Sequence, residues 1–108
     1  MKRGDIVIAA APGEFTGKPR PYVVVQSDRM LEASPTVTVC PLTTHLIGIG
    51  RIRVAISAEP GTGLEAASEI EIDRVTTMRR TRIASTVGRV PSTLIPAIDT
   101  ALRRWLDL

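Results

Sequence analysis

Arg20, in the segment Lys18-Pro19-Arg20-Pro21, is the residue of this chain best suited to bind a phosphate group. A guanidinium stays charged at neutral pH and can hold two phosphate oxygens through parallel hydrogen bonds. For the same reason it is a poor base. Proline on both sides restricts the backbone and could hold the Arg20 side chain at a fixed angle. The type and setting of Arg20 favour a phosphate clamp over the alternative, an ordinary surface arginine beside a turn.

Thr43 and His45 could take part in the same chemistry. Thr43 follows a predicted strand, where its hydroxyl could donate a hydrogen bond to a phosphate oxygen. If the chain stays extended there, His45 projects to the same side, because side chains repeat on one face every second residue. Imidazole titrates near neutral pH, which suits proton transfer. His45 is therefore a candidate acid or base, with a solvated loop histidine as the alternative, and Glu14 is the competing base.

The length and composition are those of one compact domain spanning residues 1–108. A hydrophobic content of 44% is enough for an apolar core, and 23% charged residues argue against a disordered or membrane-embedded chain. The longest apolar runs are too short to span a membrane. The first five residues include an acid and a glycine, unlike the start of a signal peptide. The protein is therefore expected to be cytoplasmic.

Positive charge in this chain comes mainly from arginine. The net charge is +3, and 12 of the 14 cationic residues are arginines, whose planar donors match phosphate. This bias permits nucleic-acid binding without proving it. Cys40 is the single cysteine, so the chain offers neither an internal disulfide nor a metal-binding framework. Cys40 is predicted to be a small buried core residue.

Apolar and polar residues alternate through most of the chain before residue 91. This period of two predicts strands, because successive side chains of a strand point to opposite faces. The predicted strands cover 6–10, 22–27, 36–42, 51–56, 68–73, 75–78 and 86–90. Loops are predicted at 12–21 and 43–50, and a turn or short helical piece at 28–34.

The strands predicted over 51–56 and 68–73 carry complementary charges. Arg51 and Arg53 alternate with apolar residues on the first, and Glu69 and Glu71 do so on the second. We expect cross-strand surface pairs, each contributing only a few tenths of a kcal/mol. Direct binding of nucleic acid by the arginines is the alternative. The basic run over 79–82 is expected to be a solvated surface unless it lies near the phosphate site.

The period changes to three and four residues near the end of the chain, which predicts an amphipathic helix. The apolar stripe consists of Ile95, Ile98, Leu102, Trp105 and Leu106. Ser92 is expected to cap this helix, with Pro96 in its first turn. Trp105 is predicted to lie in the core, with a partner contact as the alternative. Many short strands followed by one helix predict a bent antiparallel sheet or small barrel closed by that helix.

Four segments, in this order and spacing, resemble the MazF/PemK family of toxins, whose fold is shared with CcdB. They are Lys2-Arg3-Gly4-Asp5-Ile6; Arg20-Pro21 leading into Val23-Val24-Val25-Gln26-Ser27-Asp28; Pro41-Leu42-Thr43; and Asp73-Arg74-Val75-Thr76-Thr77 with Arg82-Ile83, Val87-Gly88-Arg89 and the terminal helix. The resemblance covers nearly the whole chain. One departure is the loop ahead of the arginine, which usually reads Gly-Ser-Glu-Gln and here reads Gly13-Glu14-Phe15-Thr16.

The resemblance implies a mainly β fold, an SH3-like small barrel of antiparallel strands closed by a C-terminal helix. It also implies a homodimer that cleaves single-stranded RNA without a metal or other cofactor, and an antitoxin protein that occludes the site. By position, the family's catalytic arginine and threonine fall on Arg20 and Thr43. The family's glutamate corresponds to Glu14, one position further from the arginine than usual.

An RNA substrate would give roles to further side chains. Phe15 could stack on an RNA base, or it could pack its loop onto the barrel. The cationic candidates for RNA binding are Lys18, Arg51, Arg53, Arg79 and Arg80. Two other functions stay open: a CcdB-like DNA gyrase inhibitor without catalytic activity, which Trp105 near the C-terminus would suit, and an interaction module whose catalytic set is degenerate.

Overall fold

The computed structural model describes residues 1–10 and 18–108, which form seven antiparallel strands and a C-terminal helix. The strands are β1 (Asp5–Ala9), β2 (Arg20–Val24), β3 (Thr36–Thr43), β4 (Arg53–Ile56), β5 (Ser68–Glu71), β6 (Thr76–Arg79) and β7 (Ile83–Arg89). The helices are α1 (Asp28–Leu31) and α2 (Ile95–Leu106), with 3-10 turns at Ile72–Arg74, Arg80–Arg82 and Ser92–Leu94. Each strand predicted from the alternation corresponds to one of these seven.

The sheet bends around β3, its longest strand. The strands follow the path β4-β5-β3-β2-β1-β7, and β6 pairs with β3 outside that path. Residues at the start of β3 pair with β6, whereas its last two pair with β5 on the same edge. Among the described residues no ladder joins β4 to β7. The predicted class, a small antiparallel barrel-like sheet with a C-terminal helix, is confirmed, although the path of strands stays open.

Alternating side chains form two apolar clusters on opposite faces of the sheet. The first includes Val23, Cys40, Leu42, Ile70 and Ile72 and is covered by Ile98 and Ala101 of α2. The second includes Val7, Tyr22, Val24, Val39 and Met78, together with Leu31 of α1. Cys40 is fully buried, as predicted. The side chains that continue the second face beyond Tyr22 are polar, and they form the site described below.

Helix α2 confirms the predicted amphipathic stripe and corrects its two ends. The helix begins at Ile95 with proline near its N-terminus, after a 3-10 turn that includes Ser92, and no side-chain cap bond is formed. Capping by Ser92 was therefore a wrong prediction. Trp105 is 47% exposed, so its placement in the core was also wrong. Leu102 is the last helix residue packed on the core. In the described part of the chain, neither helix has the length and hydropathy needed to cross a bilayer.

Candidate active site

The register of β2, β3 and β5 brings the polar candidates to one face of the sheet. Tyr22 of β2 lies opposite Pro41 of β3, and this register, continued by two residues, brings Arg20 beside Thr43. On the other edge of β3, Thr43 pairs with Glu69 of β5. Because every second residue shares a face, these side chains point away from the apolar cluster beneath α2.

A cavity of about 570 Å³ opens on this face. It is lined by Arg20, Tyr22, Pro41, Leu42, Thr43, His45, Ile47, Arg53, Glu71 and Arg74. Three of these side chains are guanidinium groups and one is a carboxylate, so the described lining carries an excess of positive charge at neutral pH. A cationic cavity with hydroxyl and imidazole groups suits a phosphodiester, whose charge the guanidinium groups can balance.

A tight turn places His45 next to Thr43. The backbone N–H of His45 donates to the Thr43 hydroxyl oxygen at 3.1 Å, which turns the chain directly after β3 ends. The Thr43 oxygen accepts this bond, so its hydroxyl hydrogen is left for another acceptor. Both side chains line the cavity. The sequence predicted that they share one side of an extended chain, whereas a side-chain-to-backbone turn brings them together.

Arg53 joins three carboxylates at the cavity wall. Its Nε and Nη2 atoms donate to the two oxygens of Asp73 at 2.8 and 3.1 Å. Its guanidinium also lies 3.3 Å from Glu71 and 4.0 Å from Glu69. The predicted cross-strand pairing of Arg53 is thereby confirmed, but its surface setting is wrong, because only 9% of the Arg53 side chain is exposed. A buried pair is more sensitive to loss of one partner than a surface pair.

Glu69 holds the loop that lines one side of the cavity. Its two carboxylate oxygens accept hydrogen bonds from the backbone N–H groups of Ile47 and Gly48, at 3.1 and 2.9 Å. Gly48 has a φ of 74°, in the left-handed region that favours glycine. The loop therefore takes a shape that presents two adjacent N–H groups to one carboxylate, and Ile47 of this loop reaches the cavity.

The carboxylates of this wall make stability depend on pH. The N–H groups of Ile47 and Gly48 lower the pKa of Glu69, and the hydrogen bond from Arg53 lowers the pKa of Asp73. A depressed carboxylate pKa means that the unfolded chain binds more protons than the folded one. The stability that these two carboxylates contribute should therefore be fully present above the ordinary carboxylate pKa. It should be lost as the pH falls through their folded-state pKa values.

Glu69→Gln is expected to reduce the acid-induced loss of stability, because a neutral amide has no proton to take up. Urea unfolding between pH 3 and pH 7 measures the slope for both proteins. Glu65→Gln, at an exposed turn position, is the matched control and should leave the slope of the parent protein unchanged. An identical acid slope in Glu69→Gln and the parent protein would contradict the assignment.

The other predicted RNA-binding residues within the described part of the chain do not line the cavity. Arg51 is exposed and precedes β4, and Lys18 is exposed just before β2. Arg79 pairs with Thr36, at the opposite end of β3 from Thr43 and about 23 Å along the strand. Arg80 donates to the backbone carbonyls of Leu31 and Ser34, which is a structural contact. Glu14 and Phe15 lie outside the described residues.

Of the cavity residues with polar side chains, three were not predicted as part of a site: Tyr22, Glu71 and Arg74. Tyr22 was assigned to a strand, with Phe15 preferred to it as the stacking aromatic, and Glu71 was assigned only to a surface ion pair. Strand alternation alone contained a usable signal, because Tyr22 lies two residues after Arg20 and so shares its face. Glu71 and Arg74 required the pairing of β5 with β3, which the sequence does not specify.

Cys40 is not a reactive group of this site. Burial, followed by the nearby Asp73 charge, raises the pKa of its thiol to about 12. A thiol with so high a pKa supplies almost no thiolate at neutral pH.

Comparisons with known proteins agree on one family. The model of the PemK-like, MazF-like toxins of type II toxin-antitoxin systems matches residues 2–106. A probable endoribonuclease MazF of Mycolicibacterium smegmatis is 43% identical over 108 residues, covering 100% of this chain and 98% of that protein.

Two solved structures show the same fold. The Mycobacterium tuberculosis toxin MazF-mt6 is 25% identical with a TM-score of 0.82, covering 96% of this chain and 97% of that one. An endoribonuclease in complex with its cognate antitoxin, from a mycobacterial species, is 20% identical with a TM-score of 0.81, covering 100% and 96%. The match over 2–106 and the 43% identity over the full length show that this chain belongs to the PemK-like, MazF-like family of type II toxins.

Proposed function

We propose that this protein is an endoribonuclease toxin that cleaves single-stranded RNA without a metal ion. The observation that carries the proposal is the convergence of Arg20, Thr43 and His45 on one cationic cavity. Membership of the toxin family and the similarity to a probable endoribonuclease support the same activity. Because messenger RNA would be its substrate, we place the protein in the cytoplasm.

The proposed reaction is an internal transfer within the RNA. The 2′-oxygen of one nucleotide attacks the adjacent phosphorus, the bond from phosphorus to the 5′-oxygen breaks, and the products are a 2′,3′-cyclic phosphate and a 5′-hydroxyl. A base takes the proton of the 2′-hydroxyl, and an acid gives one to the departing 5′-oxygen. In the transition state the phosphoryl oxygens gain negative charge, and hydrogen-bond donors that are already in place stabilise it.

Arg20 and Thr43 suit the stabilising role, and His45 suits a proton-transfer role. The guanidinium of Arg20 can bind two phosphoryl oxygens, and the Thr43 hydroxyl can donate to one of them. His45 lies next to Thr43 through the turn described above, which puts an imidazole at the same cavity. Glu14 is the other candidate for proton transfer, and the assignment between Glu14 and His45 stays open.

We propose two protein partners, a second copy of this chain and an antitoxin. The endoribonuclease solved with its cognate antitoxin has the same fold as this chain. An antitoxin with an acidic segment would complement the cationic cavity electrostatically. The family match and the relatives do not favour the CcdB-like alternative, inhibition of DNA gyrase.

The nuclease function predicts that the purified protein cuts a long unstructured RNA in the presence of EDTA. The new ends should be a 2′,3′-cyclic phosphate and a 5′-hydroxyl, which end-labelling with and without phosphatase treatment distinguishes. The His45→Ala variant tests whether His45 takes part in proton transfer, and the measurement is the pH dependence of the single-turnover rate of RNA cleavage. RNA that stays intact under all conditions would contradict the enzyme function and favour an interaction module or gyrase inhibition.

A further inference from the structure

Glu71 is the only carboxylate among the described residues that line the cavity. Only 10% of its side chain is exposed, and Glu71 forms part of the cavity wall. Its Oε2 atom lies 3.3 Å from Nη2 of Arg53 and 3.2 Å from Nε of Arg74. Both arginines make their shortest contact with Glu71 through this one oxygen atom.

The two arginines hold the carboxylate through its Oε2 atom. Arg53 is itself held by two hydrogen bonds to Asp73, so it cannot turn easily toward a ligand. Arg74 is largely exposed but reaches the same Oε2 atom of Glu71. The result is one oriented carboxylate among described lining residues whose other charged groups are donors. Such an acceptor does not suit phosphate, which it would repel.

Glu71 lies at a suitable distance from the phosphate-binding residues to contact a base. The β3–β5 register, continued by one residue, places Glu71 beside Pro41, two residues along β3 from Thr43. Strand rise and spacing then separate the Cα atoms of Glu71 and Thr43 by about 8 Å. One nucleotide covers a span of this order from its phosphate to the edge of its base.

We propose that Glu71 selects the base next to the cleaved phosphate by accepting a hydrogen bond from its amino group. The selected class is cytosine, adenine or guanine, and uracil is disfavoured. Uracil presents carbonyl oxygens on both sides of its single N–H, and these would face the carboxylate. Carboxylate acceptance from a base amino group is an established form of base recognition. This proposal rests on the proposed RNA-cleaving function, because it assumes RNA in the cavity.

Removal of the amino group from the RNA tests the proposal without changing the protein. The cleavage site is first mapped in a long RNA, or a binding sequence is selected from a random pool if no cleavage occurs. Oligonucleotides with a 2′-deoxy sugar at the cleaved position are then used, because they lack the attacking 2′-oxygen and cannot be cleaved. The Kd values of the oligonucleotides with and without the amino group are compared. Replacing cytosine by pyrimidin-2-one, adenine by purine or guanine by inosine should weaken binding about 10- to 100-fold.

Glu71→Gln should bring the affinities for the amino-bearing base and for uracil close to parity, because an amide both accepts and donates. Glu65→Gln, exposed and outside the cavity lining, should keep the discrimination of the parent protein. Tighter binding of the amino-bearing base by a protein that does not cleave RNA would contradict the nuclease function but not the role of Glu71. Cleavage of RNA together with equal affinities for the amino-bearing and amino-free bases would overturn the role of Glu71. This comparison uses the parent protein, so it holds even if Glu71→Gln fails to fold.

Discussion

Replacement of Arg20 by alanine is expected to lower the single-turnover rate of RNA cleavage by about 1,000-fold or more. Removal of one preorganised donor to a developing oxyanion, or of an arginine that binds a transferring phosphoryl group, typically has an effect of this size. Arg20 is exposed at the start of β2, so the loss of its surface contacts should lower the free energy of unfolding by no more than about 1 kcal/mol. The domain should therefore stay folded, and the loss should be catalytic.

Arg20→Lys separates the geometry of the clamp from its charge. Lysine keeps the positive charge but loses the planar pair of donors, so an intermediate rate, above that of Arg20→Ala, is expected. Arg29→Ala removes an exposed arginine of α1 and should cleave RNA at the rate of the parent protein. Cleavage by Arg20→Ala at the parent rate would remove Arg20 from the mechanism.

The face of each strand residue was predictable, whereas its depth was not. Alternation placed Ile70 and Ile72 opposite Glu69 and Glu71, and the structure confirms this separation. The two glutamates are nevertheless buried, because Arg53 and the loop around Ile47 and Gly48 pack over them. The alternation of residues within a strand does not indicate whether a loop from elsewhere in the chain covers one of its faces.

The helix shows a similar limit. The stripe from Ile95 to Leu106 predicted one apolar face, and Ile98 and Ala101 are indeed buried on the core. Periodicity alone does not say where the underlying sheet stops, so Trp105 was assigned to a core that ends at Leu102. The start of α2 was misplaced for a related reason, since the 3-10 turn at Ser92–Leu94 replaces a side-chain cap.

The candidate site was predictable where chemistry and local position coincide. Arg20 between two prolines and Thr43 at the end of a strand are local features, and both line the cavity. Arg79 and Arg80 have equally suitable charges but lie at the far end of β3, a matter of strand pairing. The pairing of β5 with β3 brings Glu71 into the cavity, and it too joins strands that are distant in the sequence.

Arg53→Met is expected to lower the free energy of unfolding by on the order of 3 kcal/mol, because it leaves Glu71 and Asp73 without their shared cation in a mostly buried setting. Methionine keeps most of the length of the side chain and removes its charge. Arg51→Met makes the same change at an exposed position two residues earlier, and its effect should stay within about 0.5 kcal/mol. Urea unfolding at pH 7 measures both values.

The pH dependence distinguishes a lost ion pair from lost packing in Arg53→Met. Arg53 lowers the pKa of Asp73, so the stability supplied by this pair is present above the ordinary carboxylate pKa and lost as pH falls. The difference between Arg53→Met and the parent protein should therefore shrink toward pH 3, where protonation removes the need for a cation. Combining Arg53→Met with Asp73→Asn should cost less than the sum of the two single changes, because both remove one interaction. A difference that stays constant with pH, together with additive single effects, would assign the role of Arg53 to packing, and the oriented acceptor on Glu71 would then depend on Arg74 alone.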